Sequence, residues 1–560
     1  MKNSSKKFKV FRASAGLGLR ALRDFKKGEE LIEYTGPRLS TKKGDVKPNR
    51  YLFQLNDKHY IDGSPRSNLA RYINHSCRPN AKAFVSHDEK RITIEAIRPV
   101  KAGEEITYDY GKEYFEEYIA PVGCRCVKCA GSLRHSENGD DGAGQNQARK
   151  KRQPAGNTMT DLEFAARMDR IETSPSAVMT QRAREMKEAG RDIISLSSGQ
   201  PDFPTPDHVM DAAIRAMREG QTTYTPIAGT NALKDAIIAK FKRENGLEYT
   251  RDHIIVGNGA KQVIFNAFTA GTDDGDEVVL PAPYYVAYID MIKFAGGVPV
   301  IVPCPEDQDF KLTPDQLRAA ITPKTRWLLL NSPNNPTGAV YEEADLRALA
   351  DVLLDYPRVG IIADDIYEHI AFDGLKFATI AKVEPKLFDR TVTVNGVSKA
   401  FAMTGWRIGY AGAHPSLVKQ MIKLQSLVTV GAASVSQAAA VEALNGPQDY
   451  VAERSKSFED RRDLVVSMLN QAPGISCPVP KGAFYVYPSC AGVIGKTTPS
   501  GQVIENDRDF VMYLLETEGV ATVHGGAYGV SPYFRISYAA AVEELTQACE
   551  RIQRACAALR

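Results

Sequence analysis

Asn395 to Tyr410 reads NGVSKAFAMTGWRIGY, directly behind a short β-branched run, Thr391-Val392-Thr393-Val394. The apolar run predicts a buried strand, with Lys399 just past its end and Arg407 eight residues further on. In an open α/β sheet, ligands gather outside the carboxyl ends of the strands. A lysine there can condense with a carbonyl cofactor, and an arginine nearby can hold that cofactor's phosphate.

Three other strand ends carry matching chemistry. His253-Ile254-Ile255-Val256 runs into Gly257-Asn258-Gly259-Ala260-Lys261 and then an apolar helical stretch. Small residues at a helix start leave backbone amides open to a phosphate. Leu328-Leu329-Leu330 ends in NSPNNPTG, which contains Asn335, and Ile361-Ile362-Ala363 ends on Asp364 with Tyr367 one helical step on. A pyridine-type cofactor needs a carboxylate at its ring nitrogen, donors at its phenolic oxygen and a cation at its phosphate. Asp364, Asn335 with Tyr367, and Arg407 supply those groups in that order. From about residue 159, helical patterns alternate with short apolar runs, which argues a mainly parallel sheet covered by helices. Residues from about 430 onward read as a smaller α+β unit.

With these residues in place, segment 159–560 resembles a fold-type-I pyridoxal-phosphate aminotransferase of class I, close to the bacterial aspartate aminotransferase type. The resemblance runs through SGQPDFPTPDHV, YTPIAG, NSPNNPTGAV, DDIYEH, SKAFAMTGWRIGYAG, GAFYVYPS and FRISYA. It implies that Lys399 is the Schiff-base lysine and later the proton carrier. It also implies that Asp364 pairs with the pyridine nitrogen, that Asn335 and Tyr367 hold the phenolic oxygen, and that Gly259, Ala260 and Arg407 hold the phosphate. Tyr224 would reach the phosphate from the partner subunit, which makes the protein a homodimer. Arg535 is implied as the clamp on the substrate α-carboxylate, helped by the Gly199 amide. Tyr285 stands where the family often has a tryptophan stacked on the cofactor ring. Lys261 matches a lysine that handles a distal carboxylate, so a dicarboxylic amino acid is expected, aspartate with 2-oxoglutarate first. The family's basic-Pro-Ser-Ala-Thr segment is altered to Ser174-Pro175-Ser176-Ala177-Val178, with Glu172 close by.

Working outward, 560 residues exceed one core, and a net charge of +3 hides an asymmetry. Residues 1–131 carry about +10 and the remainder about −7. A basic first part fits an acidic partner or simply a solvated surface. Residues 132–158 are polar and rich in Gly, Asn, Gln and charge, and are expected to be a flexible linker. The expected organisation is 1–131, the linker, then 159–560, divided into a large domain of about 205–430 and a small one of 159–204 plus 431–560. No apolar run approaches the ~18 residues that span a bilayer, and MKNSSKKFKVF lacks the apolar core of a secretory signal. A soluble cytoplasmic enzyme with no membrane partner is expected.

Before the linker, ELIEYTG, RYLFQLN, KHYIDG, RITIEAI and EEITYDY predict many short strands and little helix. Cys124, Cys126 and Cys129 form a CxCxxC cluster, and Cys77 in NHSC is the only other cysteine of this part. Four thiolates suit a structural Zn²⁺ site, although four reduced free thiols remain the alternative. Residues 8–130 resemble a small SET-domain protein-lysine methyltransferase with its post-SET zinc motif, through SAGLGLRA, IEYTG, YIDGSPRSNLARYINHSCRPN, AGEEITYDYG and CRCVKC. The resemblance implies that Gly16 and Gly18 in a Gly-rich turn, with Asn74 and His75, hold S-adenosyl-L-methionine. It implies Tyr110 as the catalytic hydroxyl and Tyr108 as the residue limiting methyl number on a protein lysine. Both tyrosines can also be read as packing residues of one strand. The combined expectation is a transaminase of an amino acid and a 2-oxo acid carrying a methyltransferase domain. The alternative is a transaminase for another substrate, with the SET part acting only as a protein-binding module.

Overall fold

In the computed structural model the period-two runs of the first part become short antiparallel and parallel strands, and the long α/β pattern becomes a covered sheet. Residues 7–13, 16–40, 51–56, 59–65, 68–86, 91–110, 165–172 and 175–560 are described. The expected linker 132–158, the CxCxxC cysteines and Ser174 lie outside them. The chain divides into two units, Met1–Gly156 and Asn157–Arg560.

The first unit holds β1 (Phe8–Ala13), β2 (Gly16–Ala21), β3 (Glu30–Glu33), β4 (Arg38–Ser40), β5 (Leu52–Asn56), β6 (His59–Asp62), β7 (Asn74–His75), β8 (Ala81–Ser86), β9 (Arg91–Ala96) and β10 (Glu105–Tyr108). One sheet runs β1-β2-β10-β8-β9-β3 with β7 beside β10, and a second runs β4-β6-β5. Alternation explains the core: Ile92 and Ile94 of β9 and Ile106 of β10 are fully buried with Leu19, while Glu95 and Glu105 are only half-buried. β1 and β2 pair as a hairpin. Their basic, Gly-containing sequence hides the alternation that the other strands show.

The first strand of the second unit is β11 (Ile194–Ser195). Its main sheet follows with β12 (Ile254–Asn258), β13 (Glu277–Ala282), β14 (Val298–Pro303), β15 (Thr325–Asn331), β16 (Gly360–Asp364), β17 (Thr391–Gly396) and β18 (Ile408–Gly412). The order is β12-β18-β17-β16-β15-β13-β14. β13 to β17 are mutually parallel, whereas β18 is antiparallel to both β17 and β12. The sheet is therefore mainly parallel, as expected. Its strands read as continuous apolar runs because both faces are covered. Leu329, Ile362 and Val278 pack with Val263 and Phe268 on one face; Leu328, Leu330, Ile361 and Val279 pack with Leu349 and Leu353 on the other. β14, the edge strand VPVIVP, carries two prolines that an edge tolerates, and those prolines mask it in the sequence.

A smaller layer contains β19 (Tyr485–Val486), β20 (Val520–Ala521), β21 (Val523–His524) and β22 (Phe534–Ser537), ordered β19-β22-β21, with β20 parallel to β11. Its core joins Val465 and Leu469 of the helix Asp449–Leu469 to Leu545 and Ile552 of the helix Val542–Ala557. The helix Ser434–Asn445, grouped by sequence with this layer, instead packs Ala439, Ala440 and Ala443 against Ile254, Val256 and Tyr410 of the main sheet. Its small residues allow that close approach, and alanines give no period by which a sequence reading could place it. Among the described residues no helix is long and apolar enough to cross a membrane.

Candidate active site

The carboxyl ends of β13, β15, β16 and β17 open on a single cavity of about 890 Å³. Three helices shape it: α1 (Pro175–Glu188), α2 (Ala260–Gly271) and α3 (Ala287–Phe294). Gly199, Ala260, Lys261, Tyr285, Asn335, Asp364, Tyr367, Lys399, Arg407 and Arg535 all line this cavity, so nearly every predicted residue of the second unit converges there.

Asp364 ends β16 opposite Asn331 of β15. Its Oδ2 accepts the Tyr288 hydroxyl at 2.5 Å, while its buried Oδ1 has no partner. Burial pushes the carboxyl up to about 6, against the Tyr288 hydrogen bond and the Lys399 charge. An orphan buried carboxylate oxygen is costly unless a donor arrives, and a protonated ring nitrogen is such a donor. Tyr288 was not expected. The only sequence signal is its position three residues after Tyr285, where α3 begins, and the two rings meet edge to face at 5.4 Å.

Lys399 follows β17 and donates from Nζ to the Gly199 carbonyl at 2.6 Å. Burial lowers its pKa to about 8, with Arg535 adding to the effect and Asp364 opposing it. The amine is thereby brought within reach of its neutral, nucleophilic form near neutral pH. Gly199 must remain glycine, since a Cβ would meet the Tyr485 hydroxyl at 2.4 Å. That hydroxyl is 2.8 Å from the hydroxyl of Tyr367.

β12 turns at Gly259, whose φ of +84° favours glycine, into the amino end of α2. A Cβ on Gly259 would lie 2.4 Å from Arg407 Nη2, so the turn, the helix start and the guanidinium form one cradle. Arg407 donates to the Thr404 carbonyl at 2.9 Å. Backbone amides, a positive helix end and a guanidinium are what a phosphate group requires. Arg535 of β22 is 4% exposed and donates to Asn335 Oδ1 at 3.0 Å and to the Ser197 carbonyl at 2.5 Å. Its buried Nε has no partner, and its guanidinium lies 4.7 Å from the centre of the Tyr485 ring. Lys261 Nζ stands 5.3 Å over the Tyr285 ring. Tyr224 is not brought in: it lies 92% exposed on the single chain.

The first unit gathers its own cluster. β7 pairs with β10 so that Asn74 faces Thr107 and His75 faces Tyr108. The Tyr108 and Tyr110 rings are 4.8 Å apart, and the Tyr110 hydroxyl donates to the Ile73 carbonyl. His75 Nδ1 accepts the Tyr110 amide at 3.4 Å, and Asn74 donates to Glu105 at 2.8 Å. Burial lowers the His75 pKa, opposed by Asp109. Cys77 Sγ lies 3.5 Å from His75 Nε2. Gly16 and Gly18 fall within β2, beside β10, rather than in the turn expected for them. Of the four cysteines proposed for zinc, only Cys77 is among the described residues.

Known proteins match the chain in two separate parts. The family profile described as aminotransferase class I and II matches residues 191–552, and the SET domain profile matches residues 16–111. A relative from Rhizobium leguminosarum bv. phaseoli, named a probable aspartate/prephenate aminotransferase, is 56% identical over 395 residues, 70% of this chain and 99% of its own length. The crystal structure of the aspartate aminotransferase from Rhizobium meliloti aligns with a TM-score of 0.70 at 53% identity, over 71% of this chain and 100% of that one. The Thermus thermophilus aspartate aminotransferase with maleate gives a TM-score of 0.66 at 38% identity, over 70% and 100%.

Proposed function

The chain belongs to the class I and II aminotransferases, with a SET domain ahead of the transferase, and we propose that it exchanges the amino group of a dicarboxylic amino acid, aspartate, with 2-oxoglutarate. The observation that carries this reading is the pair of cations at Arg535 and Lys261 in one cavity with Lys399. Arg535, buried and already oriented by Asn335 and Ser197, suits the planar α-carboxylate. Lys261 supplies charge for a second carboxylate.

The family implies pyridoxal phosphate, and the donor set fits it. The orphan Asp364 oxygen suits the ring nitrogen, and the Gly259–Arg407 cradle suits the phosphate. Asn335 and Tyr367 are suited to the phenolic oxygen, and Tyr285 to the ring face. When bound, the cofactor supplies an electron-withdrawing ring that stabilises charge at the substrate Cα. Within that site Arg535 would orient the amino acid, and Lys399 Nζ would carry the proton from Cα to the cofactor carbon that receives the amino group. Asp364, held by Tyr288, keeps the ring charged. The half reaction runs once with an amino acid and once in reverse with an oxo acid. In this reading Tyr224 completes the phosphate site of a partner subunit, so the working form is a homodimer, and residues 132–158 act as the linker. The test is the kcat/KM of purified protein with 2-oxoglutarate. Aspartate is expected to exceed leucine and phenylalanine at least tenfold; a strong preference for either neutral substrate would overturn the dicarboxylate assignment.

For the first unit we infer S-adenosyl-L-methionine-dependent methylation of a protein lysine, supported by the convergence of Asn74, His75, Tyr108 and Tyr110. Gly16 and Gly18 lie on the neighbouring strand, and Cys77 with Cys124, Cys126 and Cys129 would complete a structural zinc site. Methyl transfer needs an aligned amine and little acid–base machinery, so tyrosine hydroxyls and backbone carbonyls suffice. Replacing Asn74 by alanine is expected to weaken S-adenosyl-L-methionine binding at least tenfold in calorimetry, and unchanged binding would sink the assignment.

A further inference from the structure

Among the described residues the cavity holds five cations: Arg184, Lys261, Lys399, Arg407 and Arg535. The proposed reaction commits Lys399 to the proton, Arg407 to the phosphate and Arg535 to the α-carboxylate. Lys261 and Arg184 remain, and Arg184 was not singled out by the sequence.

The rotation of α1 accounts for its position. Met179 and Ala183, four residues apart, are buried in the core of the smaller layer, which turns Thr180, Gln181 and Arg184 towards the cavity. Thr180 Oγ1 lies 3.1 Å from Ser197 Oγ, and the Ser197 carbonyl is the acceptor for Arg535. Thr180 and Arg184 share one helix face a turn apart, about 5.4 Å along the axis. Arg184, exposed on the single chain, thus stands one turn beyond the point where α1 is tied to the α-carboxylate arginine. The two arginines of α1 differ in kind. Arg182 pairs with Glu516 at 2.8 Å on the outside, whereas no described carboxylate pairs with Arg184. The carboxylates that line the cavity are Asp290, held by the Glu172 amide, and Asp364, held by Tyr288.

We propose that Arg184 is the residue that selects a dicarboxylic substrate, its guanidinium receiving the distal carboxylate as a fork while Lys261 adds a second, undirected charge. This rests on the aminotransferase reading above and sharpens it. Guanidinium binds a planar carboxylate through two parallel hydrogen bonds; an ammonium does not. A dicarboxylic substrate would therefore bridge Arg535 on the smaller layer and Arg184 on α1, whereas a neutral one would engage Arg535 alone.

The experiment uses the full chain loaded with pyridoxal phosphate and measures maleate binding by calorimetry, alongside steady-state kinetics. In Arg184→Gln, maleate binding is expected to weaken at least tenfold. The KM for aspartate should rise by a similar factor with kcat changed less than threefold, and the KM for alanine should stay put. Arg184→Lys should recover part of the maleate affinity, and Arg182→Gln, on the same helix, should bind maleate as the parent does. Parent-like maleate binding in Arg184→Gln would overturn the inference and leave Lys261 alone at the distal carboxylate. A parent protein that binds no maleate and ignores aspartate would overturn the dicarboxylate reading, and this inference with it.

Discussion

Replacing Lys399 with alanine is expected to lower aspartate transamination by at least about 10⁴-fold while the protein stays folded. A positioned general acid–base group contributes roughly 10²- to 10⁴-fold, and Lys399 is assigned cofactor attachment in addition to proton transfer, so the upper end is the floor here. The fold should survive because Nζ makes one hydrogen bond, to the Gly199 carbonyl at 2.6 Å, and removing a buried amine relieves a cost of burial. The pH dependence has a definite sign. Burial lowers the lysine to about 8, so its neutral amine grows about tenfold per pH unit below that value and levels above it. The rate at which apoprotein captures pyridoxal phosphate should follow that curve in the parent. Lys399→Arg, which stays charged, should capture the cofactor only through the phosphate cradle. Dialysis followed by phosphate and absorbance assays reads the retention. An alanine variant within tenfold of parental activity would remove Lys399 from the reaction.

The site was legible because chemistry in an open α/β sheet collects where strands end, and four apolar runs end on unusual residues. Asp364, Lys399 and the Gly259 turn are each marked by a change from β-branched or aliphatic residues to small or charged ones. Arg535 and Gly199 carry no such mark on their own and came through the resemblance. Tyr288 escaped because an aromatic residue in a short helix reads as core; only the fold shows its hydroxyl 2.5 Å from Asp364. Arg184 escaped because an arginine on a helix with charged neighbours reads only as solvated; it is exposed, and only the burial of Met179 and Ala183 shows that its face of the helix borders the cavity. The same blindness affects β14, whose prolines break a strand pattern that an edge permits, and the helix Ser434–Asn445, whose alanines give no direction.

Lys240 illustrates how much an ordinary lysine can conceal. In AIIAKFKREN it reads as the polar face of a helix, yet it is fully buried. It donates to Glu368 and, at 2.7 Å, to Asn245 Oδ1, with Glu244 at 3.5 Å. Glu368 also accepts from Asn245 at 2.6 Å, and His369 lies 2.9 Å from Glu244. Glu244, Glu368 and His369 come close enough to hold a metal, but the Lys240 ammonium already stands in the cation's place. Burial works to raise the Glu368 carboxyl, and Lys240 with His369 overrides it, holding it below the usual glutamate range. Glu368 directly follows Tyr367, so this network lies under the turn that carries Asp364. Lys240→Ala leaves a buried carboxylate uncompensated and is expected to cost about 3–5 kcal/mol in denaturant unfolding of the transferase unit. Lys240→Met paired with Glu368→Gln should cost much less, because the second change removes the stranded charge. Acid should mimic the single variant. Glu244 is raised by burial but brought to about 2 by His369 and Lys240, so its contribution is intact above the ordinary glutamate range and is lost as pH falls through it towards 2. A loss under 1 kcal/mol for Lys240→Ala would mean that water or a neighbouring cation replaces the ammonium, and that the catalytic turn stands without it.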